Sequence, residues 1–267
     1  MQTSVRSTGL GRCFCYLFTL PDPERYLPHR LSGLRKMQFA NVNGIKARPE
    51  PTLRATCPHC GSEMISRCGR VKVWHWSHIR NPHCDRWWES ETQWHRDWKN
   101  CFPVEWQEIS HTNPTTQELH IADVKNPFGL VVEFQHSRLK PEEREARENF
   151  YDEMVWVVDG LRGELDESWF NMGLSRTPIQ KSPLAYQVKW WGQSRLLHDW
   201  SQGRSKVYID FGKDHLWRLV LFDPKRKMGA VGPIAKSAFI NDCMNGTYIH
   251  VSELADEAAE PVAESSK

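Results

Sequence analysis

Two carboxylates lie inside apolar runs of one short stretch of the chain, residues 121–137 (IADVKNPFGLVVEFQHS). The turn residues 126–129 separate these runs, which predicts a β-hairpin with Asp123 on its first arm and Glu133 on its second. Alternation along a strand places Gln135 on the same face as Glu133. Neighbouring acids repel each other unless a cation lies between them, and their oxygens suit Mg²⁺ or Mn²⁺. The hairpin therefore predicts a divalent-metal site; the alternative is a pair of acids on a hydrated sheet face.

A second chemically active group is a cluster of cysteine and histidine residues upstream of the hairpin. Cys57 and Cys60, in the sequence CPHC, have the spacing of the first half of a zinc knuckle. The other two ligands of a tetrahedral Zn²⁺ must come from His75, His78 and Cys84. Two histidines on one strand at this spacing point to opposite faces, which favours His78 with Cys84, whereas a turn between them would let His75 take part. Four ligands close the site, so the zinc is predicted to be structural; the alternative is a set of free buried thiols and packed imidazoles.

The residues between these two groups follow a helical pattern with one anomaly. A helical wheel of residues 87–102 has an apolar stripe, formed by Trp87, Trp88, Trp94, Trp98 and Phe102. Glu91, His95 and Lys99 lie in or beside that stripe at the spacing i, i+4, i+8. Ionisable groups on a buried face are costly unless they serve one another or a ligand. We predict that they line a polar cleft facing the hairpin carboxylates; the alternative is a ladder of stabilising i,i+4 pairs at the rim.

The elements that position these residues follow from the pattern of apolar and turn residues. After the helix at 87–102, residues 104–111 read as a strand, and the hairpin adds two more strands. Pro141 opens a polar helix, and residues 154–158 (MVWVV) form a buried strand. The predicted order is helix, strand, strand, strand, helix, strand. Upstream, Asn43-Gly44 predicts the turn of a further hairpin.

The organisation of the chain changes along its length. Residues 1–36 lack periodicity and are predicted to be a disordered extension; the alternative is an upstream choice of start site. Residues 37–86 hold the first hairpin and the zinc module. Residues 87–165 form the predicted core. Residues 166–252 are predicted to be a Trp-rich accessory module, and the acidic tail at 253–267 is predicted to be disordered.

The composition restricts the class of protein. The chain has 35 Lys+Arg and 33 Asp+Glu, so it lacks the overall basic charge of a nucleic-acid binder, and any such surface must be local. No segment approaches the roughly 20 apolar residues of a membrane span. The eight cysteines lack the spacing of a disulfide framework, so a reducing, cytoplasmic location is expected.

The chain resembles the competence protein CoiA-like family in several short sequences that occur in order: CPHC, HWSH, ESETQWHRDWK, IADV, EFQHS and the pair Arg147 and Tyr151 before MVWVVDG. The resemblance runs from about Met37 to Gly160. It implies a variant of the PD-(D/E)XK nuclease fold, an α/β (α+β) fold with a restriction-endonuclease-like αβββαβ core, here between a zinc knuckle and an accessory module. The order of elements predicted above is the order of that core.

The resemblance also implies roles for individual residues. It marks Glu91 as the helix carboxylate, Asp123 as the hairpin aspartate, and Glu133 with Gln135 as an ExQ motif. The further matching positions of the catalytic region are His95, Lys99, Arg147 and Tyr151. Gln135 stands where the usual pattern has a lysine. Because an amide cannot take a proton from water, the base would be a metal-bound hydroxide or Lys99.

The implied function is hydrolysis of phosphodiester bonds in DNA, with DNA as the partner and Mg²⁺ or Mn²⁺ as the catalytic cofactor, in DNA processing, uptake, recombination or defence. In this hypothesis Asp123, Glu133 and Glu91 hold the ion, Gln135 orients a water, and Arg147 or Lys99 stabilises the transition state. Zn²⁺ is the structural cofactor. Basic residues near it could follow a DNA backbone: Arg67, Arg70, Lys72 and Arg80.

Two other functions are open to the same sequence. One is a DNA-binding accessory protein in which the Lys-to-Gln change has ended turnover while the carboxylates survive. The other, an HNH-type nuclease built on the Cys/His region, is disfavoured because no ββα metal pattern surrounds His75.

Overall fold

The structure is a computed structural model that describes residues 36–80, 84–85, 87, 91–191 and 194–247. The predicted N-terminal extension, except for Lys36, and the predicted acidic tail lie outside the described residues. The described part combines two β-sheets with a few helices, a mixed α/β fold in which strands dominate. No helix within these ranges is both long enough and apolar enough to cross a membrane.

The N-terminal sheet is antiparallel. Its six strands are β1 (Lys36–Met37), β2 (Ala40–Val42), β3 (Ile45–Ala47), β4 (Arg54–Thr56), β5 (Glu63–Arg67) and β6 (His75–His78). They lie in the order β1-β6-β5-β4-β2-β3. Between β2 and β3, φ is 52° at Asn43 and 82° at Gly44, as a two-residue type I′ turn requires. The hairpin predicted at this dipeptide is confirmed.

The next elements follow the predicted order of helix, strand, strand, strand, helix, strand. They are α1 (Gln93–Lys99), a 3₁₀ turn (Val104–Trp106), β7 (Gln107–Thr112), β8 (Leu119–Lys125), β9 (Val131–Gln135), α2 (Pro141–Phe150) and β10 (Met154–Asp159). The strands β8 and β9 form the predicted antiparallel hairpin, and β9 lies parallel to β10.

The remaining elements extend the same sheet. They are α3 (Asp166–Gly173), β11 (Leu174–Lys181), β12 (Leu184–Lys189), α4 (Arg195–Trp200), β13 (Lys206–Asp210), β14 (His215–Asp223), β15 (Met228–Ala235) and α5 (Lys236–Asn245). Nine strands lie in the order β11-β12-β15-β14-β13-β10-β9-β8-β7. Every residue of β10 is buried, so its backbone needs a partner on both edges, and β13 supplies the second one. The region predicted as an accessory module therefore continues the core sheet instead of forming a sheet of its own.

Apolar clusters lie on both faces of the nine-stranded sheet. Alternate residues of β10 belong to different clusters: Trp156 packs with Phe150 of α2, whereas Val157 packs with Trp98 of α1. This alternation is what a strand with two buried faces requires. The helices α1 and α2 therefore cover opposite faces, and the strands between them carry the predicted carboxylates.

Candidate functional site

Three carboxylates lie in one row across neighbouring strands. The β7–β8 register pairs Gln107 with Val124 and Ile109 with Ala122, so Glu108 and Asp123 occupy the facing positions between these pairs. Asp123 and Glu133 are the next residues beyond Val124 and Val132, the last pair of β8 and β9. We call Glu108, Asp123 and Glu133 the acidic row. It brings together the two hairpin carboxylates predicted from the sequence and adds a third.

The backbone ladder between β8 and β9 ends where the acidic row begins. Its last Cα partners are Val124 and Val132. Beyond them, Asp123 Oδ2 accepts the Phe134 N–H at 3.0 Å, and Glu133 Oε1 accepts the Asp123 N–H at 3.3 Å. Each carboxylate thus accepts a backbone N–H that lies beyond the last pair of the β8–β9 ladder. The two strands can therefore separate here without leaving a buried N–H unpaired.

Glu108 joins the N-terminal sheet to the core. Its φ of 49° is unusual for a residue other than glycine. Its Oε1 accepts the backbone N–H of Gln38 at 2.8 Å and its Oε2 accepts that of Phe39 at 3.0 Å. Glu108 had no predicted role, although an acid within the predicted strand 104–111 was the same signal that pointed to Asp123.

Lys99 is a buried ammonium between two carboxylates. Its Nζ lies 2.5 Å from Glu91 Oε1 and 3.0 Å from Glu108 Oε1. Burial by itself lowers the pKa of Lys99, but the charges of Glu108, Glu91 and Asp123 outweigh burial and raise the pKa above its ordinary value of 10.5. A lysine held in this way stays protonated. The hypothesis that Lys99 serves as the general base does not fit this environment.

Glu91 reaches Lys99 from a position before helix α1. The predicted helix from residue 87 begins too early, since α1 starts after the N-cap Thr92, whose side chain accepts the N–H of His95. Glu91 Oε2 lies 2.9 Å from Arg96 of the first helical turns. The segment before α1, and not two turns of helix, brings Glu91 to Lys99, and both side chains line the cavity that also contains Asp123 and Glu133.

Arg147 of α2 closes the site from the other side. Its Nη1 lies 3.3 Å from Glu133 Oε2 and its Nη2 lies 2.6 Å from Glu143 Oε1. The same Nη2 donates to the carbonyl oxygen of Trp87 at 2.9 Å. The guanidinium is buried, so these bonds satisfy a charge that has lost its water.

These side chains surround a cavity of about 30 Å³, a size that suits a water molecule or a single ion. Six of the eight predicted catalytic residues line it: Glu91, His95, Lys99, Asp123, Glu133 and Arg147. Within the described residues, the other two lie outside its wall. Gln135 donates to the Ser137 carbonyl at 3.0 Å, and Tyr151 ends α2 with its ring 5.0 Å from that of Phe150. His95 also completes the helix cap, since its Nδ1 accepts the Thr92 N–H at 3.2 Å.

The donor chemistry of the acidic row fits Mg²⁺ or Mn²⁺, which prefer carboxylate oxygens. Asp123 uses one oxygen for the Phe134 N–H, and Glu133 shares its oxygens between a backbone N–H and Arg147. Among the described residues, however, these acids do not form a group whose ligand atoms all lie within 4.8 Å of one another. Lys99 and Arg147 balance their charge at present.

Lys99→Met is expected to lower the free energy of unfolding by about 3–5 kcal/mol, because Glu91 and Glu108 lose a buried partner. The pKa of Lys99 is higher in the folded protein than its ordinary value of 10.5, so its contribution is fully present below pH 10.5. The contribution disappears as the pH rises through the folded-state pKa. Urea unfolding followed by tryptophan fluorescence should show a constant difference between wild type and variant from neutral pH to pH 10.5, and a shrinking one above it.

Lys213→Met is the matched control, because Lys213 is exposed and pairs with the partly exposed Glu167. It should change stability by about 0.5 kcal/mol or less. A Lys99 contribution that already declines near neutral pH would contradict the raised pKa.

The Cys/His cluster forms a compact set of four ligand atoms. The Sγ atoms of Cys57, Cys60 and Cys84 and a ring nitrogen of His78 all lie within 4.8 Å of one another. Sulfurs bound to one tetrahedral Zn²⁺ are about 3.8 Å apart and a sulfur–nitrogen pair about 3.5 Å apart. Cys57 Sγ lies 3.7 Å from Cys84 Sγ, and Cys60 Sγ lies 3.4 Å from His78 Nε2. The set can therefore hold zinc, and it is the pairing that the strand alternative predicted, with His75 turned to the Val73 carbonyl.

The pKa shifts of the two buried thiols, Cys57 and Cys84, are consistent with a zinc site. The hydrogen bond between the Cys57 and Cys84 sulfurs lowers the pKa of Cys57, against the opposing effect of burial. The same bond, together with burial, raises the pKa of Cys84. One proton thus lies between two sulfurs, where a metal cation would stabilise both as thiolates.

Asp85 connects the cysteine cluster to the hairpin. It directly follows Cys84, and its Oδ2 accepts the N–H of Ile121 on β8 at 3.0 Å. Its Oδ1 lies 2.8 Å from Nδ1 of the buried His120, whose ring stacks on Trp87 with the centroids 3.2 Å apart. Asp85 had no predicted role; its position beside a zinc ligand was the available signal.

The geometry thus defines a mixed α/β protein in which a four-ligand Cys/His cluster adjoins an acidic cavity. Residues 52–86 match the family described as "Competence protein CoiA, N-terminal domain", and this segment includes all four cluster ligands. The match supports the resemblance to the CoiA-like family within these 35 residues, which contain CPHC and HWSH. No match was found among curated proteins or among solved structures.

Proposed function

We propose that this chain is a divalent-metal-dependent deoxyribonuclease of the CoiA-like type. The observation that carries the proposal is the acidic row, three carboxylates aligned across three adjacent strands at the point where two of those strands separate. Such alignment of like charges is costly in a protein interior unless a cation or a polar ligand uses it.

The arrangement of elements supports the same reading. The order α1, β7, β8, β9, α2, β10 has the acidic row on its first three strands and a helix on each face. This is the order of the restriction-endonuclease-like αβββαβ core that the sequence resemblance implies. A fold by itself does not specify chemistry, so the argument for hydrolysis depends on the cavity.

The residues around the cavity have complementary roles in the proposed reaction. Mg²⁺ or Mn²⁺ held by Asp123 and Glu133, with Glu91 as a further ligand, would activate a water and offset charge on the phosphate. Lys99, protonated and buried, would lower the energy of charge that builds on the phosphate oxygens. Arg147 would serve the same purpose while it keeps Glu133 in place.

DNA is the proposed substrate because the matched family carries competence in its description. The test is a cleavage panel of single-stranded, nicked, branched and duplex DNA with Mg²⁺, Mn²⁺ or Ca²⁺. We expect cleavage of at least one substrate with Mg²⁺ or Mn²⁺ and none in EDTA. A full-length, zinc-loaded protein that leaves every substrate intact in all ions would remove the nuclease proposal.

A specific observation favours a second candidate, a catalytically impaired DNA-binding accessory protein. Lys99 and Arg147 already neutralise the acids, and Gln135 donates to Ser137 instead of lining the cavity. In this case the protein would bind DNA without cutting it. Binding with no cleavage under all the conditions above would favour this candidate.

A further inference from the structure

The loop between β5 and β6 presents cationic and apolar side chains to solvent. We call residues 68–74 (CGRVKVW) the basic loop. Arg70 and Lys72 are exposed, Val71 is 96% exposed and Trp74 is 44% exposed. Exposed apolar groups that alternate with cations differ from an ordinary solvated loop, in which polar residues predominate.

The charge of this region is local and of one sign. Residues 64–84 contain Arg67, Arg70, Lys72 and Arg80 but no aspartate or glutamate. The whole chain has a formal net charge of only +2, so the region stands out from the rest. A polyanion would be attracted to it, and the attraction would weaken with salt.

The basic loop is fixed in place beside the acidic cavity. The guanidinium of Arg96, which pairs with Glu91 of the cavity wall, also donates to the carbonyl oxygen of Trp74. Inside the loop, the indole N–H of Trp74 donates to the carbonyl oxygen of Gly69 at 3.1 Å, which sets the orientation of the ring.

The charge of the basic loop also affects a residue of the cavity wall. Lys36 lines the cavity, and its pKa is lowered first by burial and then by the charge of Lys72, while Glu91 raises it. The charge of Lys72 therefore acts on the cavity wall. A chain that bound the loop would lie near Glu91 and Lys36 of the cavity wall.

We propose that the basic loop binds single-stranded DNA next to the acidic cavity, with Arg70 and Lys72 on phosphates and with Trp74 and Val71 on unpaired bases. This inference rests on the proposed function and specifies its substrate as DNA that has unpaired bases near the cavity. A duplex offers its phosphates on the outside and keeps its base faces stacked within, so it would leave the two apolar side chains without partners. Unpaired bases offer an aromatic face to each of them.

The experiment measures binding without cleavage, by the fluorescence anisotropy of labelled single-stranded and duplex oligonucleotides with Ca²⁺ in place of Mg²⁺. The full-length, zinc-loaded chain should bind the single strand more tightly than the duplex. Trp74→Ala and Val71→Ser should each weaken single-strand binding, Trp74→Ala by about tenfold, and should change duplex binding far less. The double variant Arg70→Ala/Lys72→Ala should reduce the salt slope of single-strand binding by about 1.4, since each lost phosphate contact removes about 0.7.

The controls match each substitution in exposure. Trp191→Ala removes an indole that is 46% exposed on another part of the surface, and Lys225→Ala/Arg226→Ala removes two exposed cations from the turn between β14 and β15. Trp74→Phe keeps an aromatic face but loses the bond to Gly69, so it separates stacking from loop anchoring and should retain most of the affinity. Trp191→Ala and Lys225→Ala/Arg226→Ala should bind like the wild type.

Failure of the basic-loop inference can be distinguished from failure of the proposed nuclease function. Wild-type protein that binds and cuts DNA, with basic-loop variants that bind as it does, would overturn the inference and leave the nuclease proposal standing. Equal losses on duplex and single strand in Trp74→Ala would overturn it too, because stacking on unpaired bases would then have no part. A wild-type chain that neither binds nor cuts any DNA would overturn both.

Discussion

Asp123→Asn and Glu133→Gln are each expected to lower metal-dependent DNA cleavage by about a hundredfold or more. Loss of one preorganised charged group at a reacting centre typically costs two to three orders of magnitude in rate, roughly 2.7–4 kcal/mol. The amide keeps a carbonyl oxygen that can still accept the Phe134 N–H in place of Asp123 Oδ2. The charge is therefore removed while the hydrogen bond between the separated strands is kept. Initial cleavage rates at saturating Mn²⁺ or Mg²⁺ provide the measurement.

The control variants are Asp97→Asn and Glu145→Gln, whose carboxylates are exposed on α1 and α2. They carry the same chemical change on exposed helix positions outside the cavity and should cut DNA as the wild type does. Circular dichroism and urea unfolding must show that the Asp123 and Glu133 variants are folded. Unaltered cleavage by both folded variants would refute the role of the acidic row in hydrolysis.

Cys57→Ser and Cys84→Ser are expected to release the metal, so that the zinc content falls from about one ion per chain to near zero. The binding free energy of a structural zinc site contributes directly to folding and amounts to about 10–16 kcal/mol in small zinc domains. Cys57 and Cys84 are buried in an apolar cluster with Met37, Met64 and Trp76. Loss of the zinc would therefore destabilise this cluster. We expect the N-terminal sheet to unfold. Metal analysis and limited proteolysis between β1 and β6 would report it.

Cys101→Ser is the matched control, because this thiol is exposed and lies outside the four-ligand cluster. It should keep the zinc and the proteolysis pattern of the wild type. A Cys57 variant that retains one zinc per chain and the same protection would show that these four side chains do not form the site.

The zinc-site variants should affect the acidic cavity, whereas the acidic-row variants should not affect the zinc site. Loss of the zinc cluster should also impair the acidic cavity, because Asp85 and Glu108 connect the two through hydrogen bonds to Ile121, Gln38 and Phe39. Loss of the Asp123 charge should leave the zinc in place, since Asp123 bonds within the core sheet. Zinc content measured on both sets of variants separates a structural ion from a catalytic one.

Local patterns in the sequence predicted the elements well wherever turn and apolar signals were strong. The hairpin of β8 and β9, the Asn43-Gly44 turn and the buried strand β10 were confirmed, because each depends on residues close in sequence. The start of α1 was wrong by several residues. An apolar stripe that includes Trp87 resembles a helix on a wheel, but the Thr92 cap decides where the helix begins.

The neighbours of each site residue were harder to predict. Tyr151 matched a family position but ends α2 away from the cavity, beside Phe150. The region after residue 165 carried no chemical motif, and its place in the sheet followed from the need of β10 for a second partner. The pairing of distant strands depends on which exposed backbone edges remain, which a sequence pattern does not record.

The amino-acid sequence alone determined the types of residue that could do chemistry: paired cysteines at knuckle spacing, and acids within apolar strands. These follow from side-chain chemistry and from periodicities of a few residues. Only the tertiary structure decided that Glu108 completes the acidic row, that His78 and Cys84 complete the cysteine set, and that Lys99 is held as a cation. The physical reason is that strand register, burial and the electrostatic field at a buried group arise from contacts between segments far apart in the chain.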